Sequence, residues 1–330
     1  MRTLKVGVIG VGNFGTLHAS VLSRLAGCEL VALADVDEGR LSQACRWFGT
    51  EGYTDFKDLI RRDDIDAVSV CTPDGKHVAP AVEAASAGKH IFVEKPLALS
   101  TEDCDRIIGA AREAGVKLMV GHILRFDPRY YAAYKAINEG RIGRLVHLYA
   151  RRNNRITSGL RLASETTVLF FLGIHDIDFL NICAGSKVRK VYALANRKVL
   201  PQGPDSVLAL LEYEGGAVAS LEVSWVLPEA SPGSLDAHFH AVGERGAIYL
   251  EGGSRDLTLT TDRTERPDTV YAPEVQGETV GVLKQELSRF LRCISEEVDP
   301  PVTGEDGRRA VEVACAICTS YSEGREVELC

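Results

Sequence analysis

No stretch of this 330-residue chain approaches the ~20 consecutive apolar residues of a membrane-spanning helix. No segment reads as a secretory leader either. Met1-Arg2-Thr3 runs straight into Leu4-Lys5-Val6-Gly7-Val8-Ile9-Gly10, an apolar run that is too short and is broken by a lysine. The expected address is therefore cytoplasmic, with no membrane partner. An excess of positive charge is also lacking: the net charge is −8, which argues against nucleic acid as a general partner. Nor is there a disulfide framework, since the nine cysteines are odd in number and scattered, as suits a reducing compartment. Cys315 and Cys318 form a C-x-x-C, but residues 310–318 read as a helix with small apolar side chains facing a core. His238 and His240 share one face of a strand, with no third ligand of suitable type, so no metal is expected. Tandem repeats and low-complexity tracts are absent.

What is present begins with length. A chain of 330 residues exceeds one ordinary core and fits two domains. Over the first 120 residues, short apolar β-branched runs at 5–10, 28–34, 67–71, 90–93 and 117–120 alternate with helical patterns at 15–25, 39–48, 77–87 and 101–114. That alternation predicts a parallel sheet covered on both faces. Beyond residue 122 the pattern changes. Helices are expected at 128–139 and 174–184, and strands at 145–154, 188–197, 206–213, 217–225, 237–242, 247–251 and 256–260. Glu212-Tyr213-Glu214-Gly215-Gly216-Ala217 reads as a hairpin turn. A polar loop spans 262–280, and helices at 282–296 and 305–323 close the chain. The expected architecture is an α/β Rossmann domain, a doubly wound parallel sheet, over 1–121. It is followed by an α+β domain with a mainly antiparallel open sheet over 122–330, the C-terminal helix being free to pack back on the first domain.

Gly10-Val11-Gly12-Asn13-Phe14-Gly15 directly follows the first strand and opens the first helix. In that context G-x-G-x-x-G reads as a dinucleotide loop. Gly10 permits the tight turn, Gly12 lets the backbone approach a pyrophosphate, and Gly15 allows close helix–strand packing. The phosphates would sit on the free N–H groups of the helix, where Asn13 and Phe14 lie. Asp35 ends the second strand, where an acidic side chain can bond ribose hydroxyls and would repel a 2′-phosphate. NAD is therefore favoured over NADP, although nearby Arg40 softens this preference. Two further strand ends carry candidates. Cys71-Thr72-Pro73-Asp74-Gly75-Lys76-His77 ends one, and Val93-Glu94-Lys95-Pro96 ends another, with the proline terminating the strand and holding Lys95 at the sheet's edge.

These features resemble the glucose–fructose oxidoreductase / inositol dehydrogenase / rhizopine catabolism (Gfo/Idh/MocA) family. The match lies in Gly10–Gly15, Asp35, Thr72-Pro73 with His77, Glu94-Lys95-Pro96, Arg125-Phe126-Asp127-Pro128, Gly140-Arg141-Ile142-Gly143, Gly173-Ile174-His175-Asp176-Ile177-Asp178 and Pro301–Gly307. The resemblance implies a C-terminal sheet domain that carries substrate, and a homodimer or homotetramer packed through that sheet. It also implies oxidation of a secondary alcohol of a sugar, polyol or nucleotide sugar. Lys95 would serve as acid/base, which requires its proton to come off near neutral pH. His175 would bond the same hydroxyl, Arg125 would contact substrate, and Thr72, Pro73, His77 and Glu94 would line the cofactor.

One position departs from the family. Many members carry an aspartate four residues before the histidine, and here that position is Phe171. Three readings remain open. Asp178, on the same helical face as His175, supplies the carboxylate; or Lys95 and His175 suffice; or the chemistry is lost and the protein is a catalytically silent NAD(H)-binding regulator or sensor. Asp176 points elsewhere and reads as favourable charge in a first helical turn. A second feature is local charge. Residues 141–164 hold Arg141, Arg144, Arg151, Arg152, Arg155 and Arg161 and no acidic residue. Arg151, Asn153 and Arg155 would share one strand face and could clamp an anionic substrate.

Overall fold

The computed structural model describes residues 2–254, 256–262 and 264–329. The chain divides into two compact units, one of residues 1–123 with 271–308, the other of 124–270 with 309–330. The first unit opens β1 (Leu4–Ile9), α1 (Asn13–Leu22), β2 (Cys28–Ala34), α2 (Glu38–Phe48), β3 (Glu51–Tyr53), α3 (Phe56–Ile60), β4 (Ala67–Val70), α4 (Val78–Ser86), β5 (His90–Glu94), α5 (Thr101–Ala114) and β6 (Leu118–Gly121). Its six strands pair in the order β3-β2-β1-β4-β5-β6, all parallel. β4 and β6 are buried along their whole length, which is why they read as unbroken apolar runs. The helices start and stop on local chemistry. Asp37 caps α2 and Ser100 caps α5 through their side chains. Gly49 and Gly115 end the same helices in the left-handed region that only glycine enters freely.

The second unit contributes α6 (Pro128–Asn138), β7 (Leu145–Arg155), α7 (Ile156–Leu162), a π-helical segment Leu169–Gly173 running into α8 (Ile174–Ala184), β8 (Val188–Asn196), β9 (Ser206–Tyr213), β10 (Val218–Leu227), β11 (Leu235–Gly243) and β12 (Gly246–Gly252). Short pairs follow, β13 (Leu259–Thr260) with β14 (Thr264–Glu265) and β15 (Glu274–Val275) with β16 (Glu278–Thr279), then α9 (Val282–Ser295), α10 (Gly304–Glu323) and β17 (Val327–Glu328). Seven strands form the larger sheet, β12-β11-β7-β10-β9-β8-β17. Only β7 and β10 run parallel; the remaining pairs are antiparallel. One sheet face is the core, where Phe179 meets Tyr130 and Phe239 edge-on at ring centroid distances of 4.9 and 4.8 Å. The other face leaves Tyr192, Leu194, Leu208, Leu210 and Val218 exposed.

Several expectations need correction. Residues 122–330 are not one continuous second domain. Residues 271–308 belong to the first unit, because α9 buries Val282, Leu283, Leu287, Phe290 and Leu291 there, with Phe290 edge-on to Phe92 of β5 at 5.7 Å. The strand expected at 256–260 shrinks to Leu259–Thr260, and Arg255 and Arg263 lie outside the described residues. His175 does not open a helix: the backbone is already helical from residue 168, so Asp176 is in no N-terminal turn. β3, α3 and α7 are too short for the periodicity that reveals longer elements.

Candidate active site

In the first unit, parallel pairing brings four strand ends level. Ile9 pairs with Ala34 and with Val70, and Val70 pairs with Val93. The residues just beyond, Gly10, Asp35, Cys71-Thr72 and Glu94-Lys95, therefore share the carboxyl edge of the sheet, where ligands bind in such folds. The glycine loop fits a dinucleotide. Gly10 has φ +89°, and a Cβ there would lie 2.7 Å from the Cys71 carbonyl oxygen. A Cβ at Gly15 would lie 1.7 Å from the Gly10 carbonyl oxygen, so nothing but glycine lets α1 start here. At Gly12 the added atom would meet nothing nearer than Arg40 at 3.8 Å, leaving open space above the backbone. Gly12 is the N-cap and carries no side chain, no acidic residue occupies the first turn of α1, and Asn13 and Phe14 are exposed there. A helix start with no acidic side chain in its first turn is what a pyrophosphate needs.

Asp35 is nearly buried and braces this loop. Its carboxylate accepts from the Val11 N–H at 2.8 Å and the Asp37 N–H at 2.9 Å. Arg40 stands 3.4 Å from the same carboxylate, with half of its side chain exposed. His77 is fully buried, and its ring nitrogens lie 2.7 Å from the Pro96 carbonyl oxygen and 2.8 Å from that of Thr72. It thus ties the Thr72-Pro73 turn to the Lys95-Pro96 turn, whose peptide bond is cis. Lys95 is only 6% exposed, and its backbone N–H donates to Glu94 Oε2 at 3.2 Å. Sequence reasoning missed the buried His18, which lies against Ser69 and Glu94. Its position three residues after Gly15 is the signal that could have found it.

In the second unit, the π-helical segment and the first turns of α8 are buried almost throughout. Within 168–180, Phe171 and His175 alone reach partial exposure. They lie near each other along the helical run, with Phe171 tilted against Trp225 at 6.4 Å. Asp178 and Arg125 are brought together. Nε and Nη2 of the arginine donate to the two carboxylate oxygens at 2.8 and 2.5 Å. The same arrangement recurs at Arg152 and Asp176, at 2.6 and 3.0 Å, with both side chains buried. Burial pushes the Asp176 carboxyl up despite the guanidinium beside it. Asp176 is thus a core ion-pair partner, and Asp178, expected to serve His175, gives its carboxylate to Arg125. The guanidinium expected at substrate is likewise engaged.

Arg151 and Asn153 do not join His175. Alternation along β7 sends Arg152 toward α8 and sends Tyr149, Arg151 and Asn153 to the opposite sheet face. There Arg151 pairs with Asp236 at 3.0 Å, and Asn153 donates to Glu222 Oε1 at 2.8 Å. His238 lies 3.1 Å from Asp236, and His240 sits between Tyr149, tilted at 5.5 Å, and Tyr249, edge-on at 5.1 Å. Arg155 sits at the strand end, donating to the Ser231 carbonyl with Glu229 3.8 Å away. Arg144 pairs with Glu244 at 2.6 Å. Arg144, Arg151, Arg152 and Arg155 thus each have a carboxylate nearby, from the turn after β11, from β11, from α8 and from the loop after β10.

Comparison with known proteins agrees with this geometry. Residues 4–122 match the oxidoreductase family with NAD-binding Rossmann fold (GFO_IDH_MocA), and residues 130–249 match the GFO/IDH/MocA C-terminal domain. The chain is 30% identical over 329 residues to inositol 2-dehydrogenase 2 of Saccharopolyspora erythraea, covering 98% of this chain and 94% of that one. It is 28% identical over 333 residues to myo-inositol 2-dehydrogenase of Thermotoga maritima, covering 99% and 98%. The crystal structure of myo-inositol 2-dehydrogenase from Lactobacillus plantarum superposes with a TM-score of 0.88 at 25% identity, covering 100% of both chains. With an NAD-binding Rossmann unit and the matching C-terminal domain both in place, this chain belongs to the Gfo/Idh/MocA oxidoreductase family.

Proposed function

We propose that the protein oxidises a secondary alcohol of a polyol or sugar with NAD, using Lys95 as the acid/base. The observation that carries this reading is the buried lysine at the end of β5, level with the glycine loop and Asp35 along one sheet edge. Inositol dehydrogenases among the relatives support a cyclic polyol or sugar as substrate. NAD, held by Gly10–Gly15 and Asp35, supplies the hydride acceptor. The chain's own task is the proton. As the substrate carbon loses hydride, its hydroxyl must lose a proton, and Lys95 Nζ takes it; in reverse the same group returns it. Partly exposed where residues 172–180 are otherwise buried, His175 is assigned to bond that hydroxyl and hold it in line. Arg125 and Asp178 set the base on which His175 stands.

The exposed apolar side chains Tyr192, Leu194, Leu208, Leu210 and Val218 support assembly as a homodimer or homotetramer through the open sheet face. No helix among the described residues is long and apolar enough to cross a membrane, which supports a cytoplasmic place.

The test is reduced-nicotinamide absorbance on mixing the protein with NAD and a panel of inositols, aldoses, sugar acids and nucleotide sugars. Lys95→Met should lower turnover by about 10²–10⁴-fold while NADH binding persists. Silence of the unaltered protein across the panel, with NADH still bound, favours the second reading, a catalytically silent NAD(H)-binding regulator or sensor. Phe171 is the observation behind it, since an apolar ring shares the partly exposed stretch with His175.

A further inference from the structure

A buried polar chain runs beneath Lys95 and is not used by the chemistry above. His18, on α1, is wholly buried. Its Nδ1 lies 2.9 Å from Ser69 Oγ, and Ser69 Oγ lies 3.5 Å from Cys71 Sγ. Its Nε2 lies 3.1 Å from Glu94 Oε1, while Glu94 Oε2 accepts the Lys95 N–H at 3.2 Å. Phe92 closes the ring's side edge-on at 5.4 Å. Space for the carboxylate is reserved by Gly121 on β6, where a Cβ would lie 2.8 Å from Glu94 Oε1.

The chain of donors has a consistent direction when the imidazole carries both protons. Nδ1–H then donates to Ser69, whose hydroxyl donates to Cys71, and Nε2–H donates to Glu94. Burial alone would lower the His18 pKa. The Cys71 sulfur and the Glu94 carboxylate outweigh it and hold the imidazole well above the usual histidine value. Burial likewise opposes ionisation of Glu94, but the hydrogen bond and charge of His18, then Lys95 and His77, bring that carboxyl below its ordinary value. The groups facing this cluster are Ser69 of β4 with Cys71 just beyond it, Glu94 of β5 with Lys95 just beyond it, and His77 from the turn before α4. Buried His122 follows β6, and buried Glu286 lies on α9, one turn before Phe290.

We propose that His18 is a positioning residue: a buried imidazolium that pairs with the Glu94 carboxylate, so that this carboxylate does not clamp a proton on the neighbouring Lys95 amine. This rests on Lys95 being the acid/base. A buried carboxylate without its cation would turn to the other positive charges that act on it, Lys95 ahead of His77. An amine paired in this way could not accept a proton from an alcohol near neutral pH.

The experiment follows reductive methylation of Lys95 by formaldehyde across pH, read by mass spectrometry of its peptide, so that no turnover is needed. His18→Leu removes the cation and the hydrogen bond; His18→Gln keeps a donor but not the charge. Both should raise the midpoint of Lys95 labelling by about 1 pH unit or more. The double variant His18→Leu/Glu94→Gln should return it, because the carboxylate that needed balancing is gone. Unchanged midpoints in both single variants overturn the proposal. So does failure of the double variant to restore the midpoint, which would make His18 a packing residue. Where a substrate turns over, the acid limb of kcat should move with the labelling midpoint. If midpoints shift as stated but no alcohol is oxidised by the unaltered protein, the alcohol-oxidation reading fails while the pairing of His18 with Glu94 and its effect on the Lys95 amine stand.

Discussion

Arg125 and Arg152 each give two donors to one buried carboxylate, Asp178 and Asp176. Removing either guanidinium would take a two-point partner from a carboxylate that is 1% exposed. Arg152→Ala should therefore cost about 3–5 kcal/mol in urea unfolding, and Arg125→Ala should fall in the same range. Arg151, whose pair with Asp236 leaves 30% and 29% of the two side chains exposed, makes the contrast. Arg151→Ala should cost under about 1 kcal/mol. If the three variants unfold alike, burial is not what separates these pairs. Chemistry of this kind was only half legible in the sequence. The placing of Gly10–Gly15, Asp35 and Lys95 at one sheet edge was readable because it depends on local spacing and strand ends. The fates of Arg125, Arg151 and Asn153 were not, because their partners are 53, 85 and 69 residues away.

Short irregular elements position the residues that matter in the second unit. Asp205, fully buried before β9, accepts the backbone N–H groups of Lys198, Val199 and Leu200, folding that loop around one carboxylate. The adjoining Pro204 carbonyl accepts Trp225 Nε1–H at 3.1 Å, and Trp225 in turn faces Phe171. Burial works against the Asp205 charge, yet the three N–H donors and Arg197 hold its carboxyl below the usual value. A depressed folded-state pKa contributes stability above the unfolded value of about 3.9 and loses it as pH falls through the folded one. Asp205→Asn should thus destabilise by about 1–3 kcal/mol near pH 7. The gap to the unaltered protein should close as pH falls below that unfolded value; thermal melts across pH check this. A gap of constant size would show that the charge is irrelevant. The long helices and strands of this unit followed from apolar periodicity. The π-helical segment did not, since Leu169–Gly173 is apolar on every side and its register is set by packing: a Cβ on Gly173 would touch Leu169 and Val223.

The alternation of exposed and buried residues along β8, β9 and β10 is that of a sheet with one face left uncovered. Leu208→Glu with Leu210→Glu places two carboxylates on that face. It should shift the protein to monomer in light scattering, with the unfolding midpoint of the isolated chain little changed. Retention of the oligomer would move the contact elsewhere. The two-unit organisation was visible in the sequence as a change of pattern near residue 122, but the return of 271–308 to the first unit was not, because an amphipathic helix does not name the surface it will cover. That return has a consequence for synthesis. A nascent Rossmann sheet emerges from the ribosome early, yet the side of β5 that Phe290 packs against, and the face of α1 that α9 shields, stay uncovered until residues 282–295 have been made. The unit begun first is thus left open while residues 124–270 are made, and its apolar surface is available to chaperones, or to other nascent chains, through that interval.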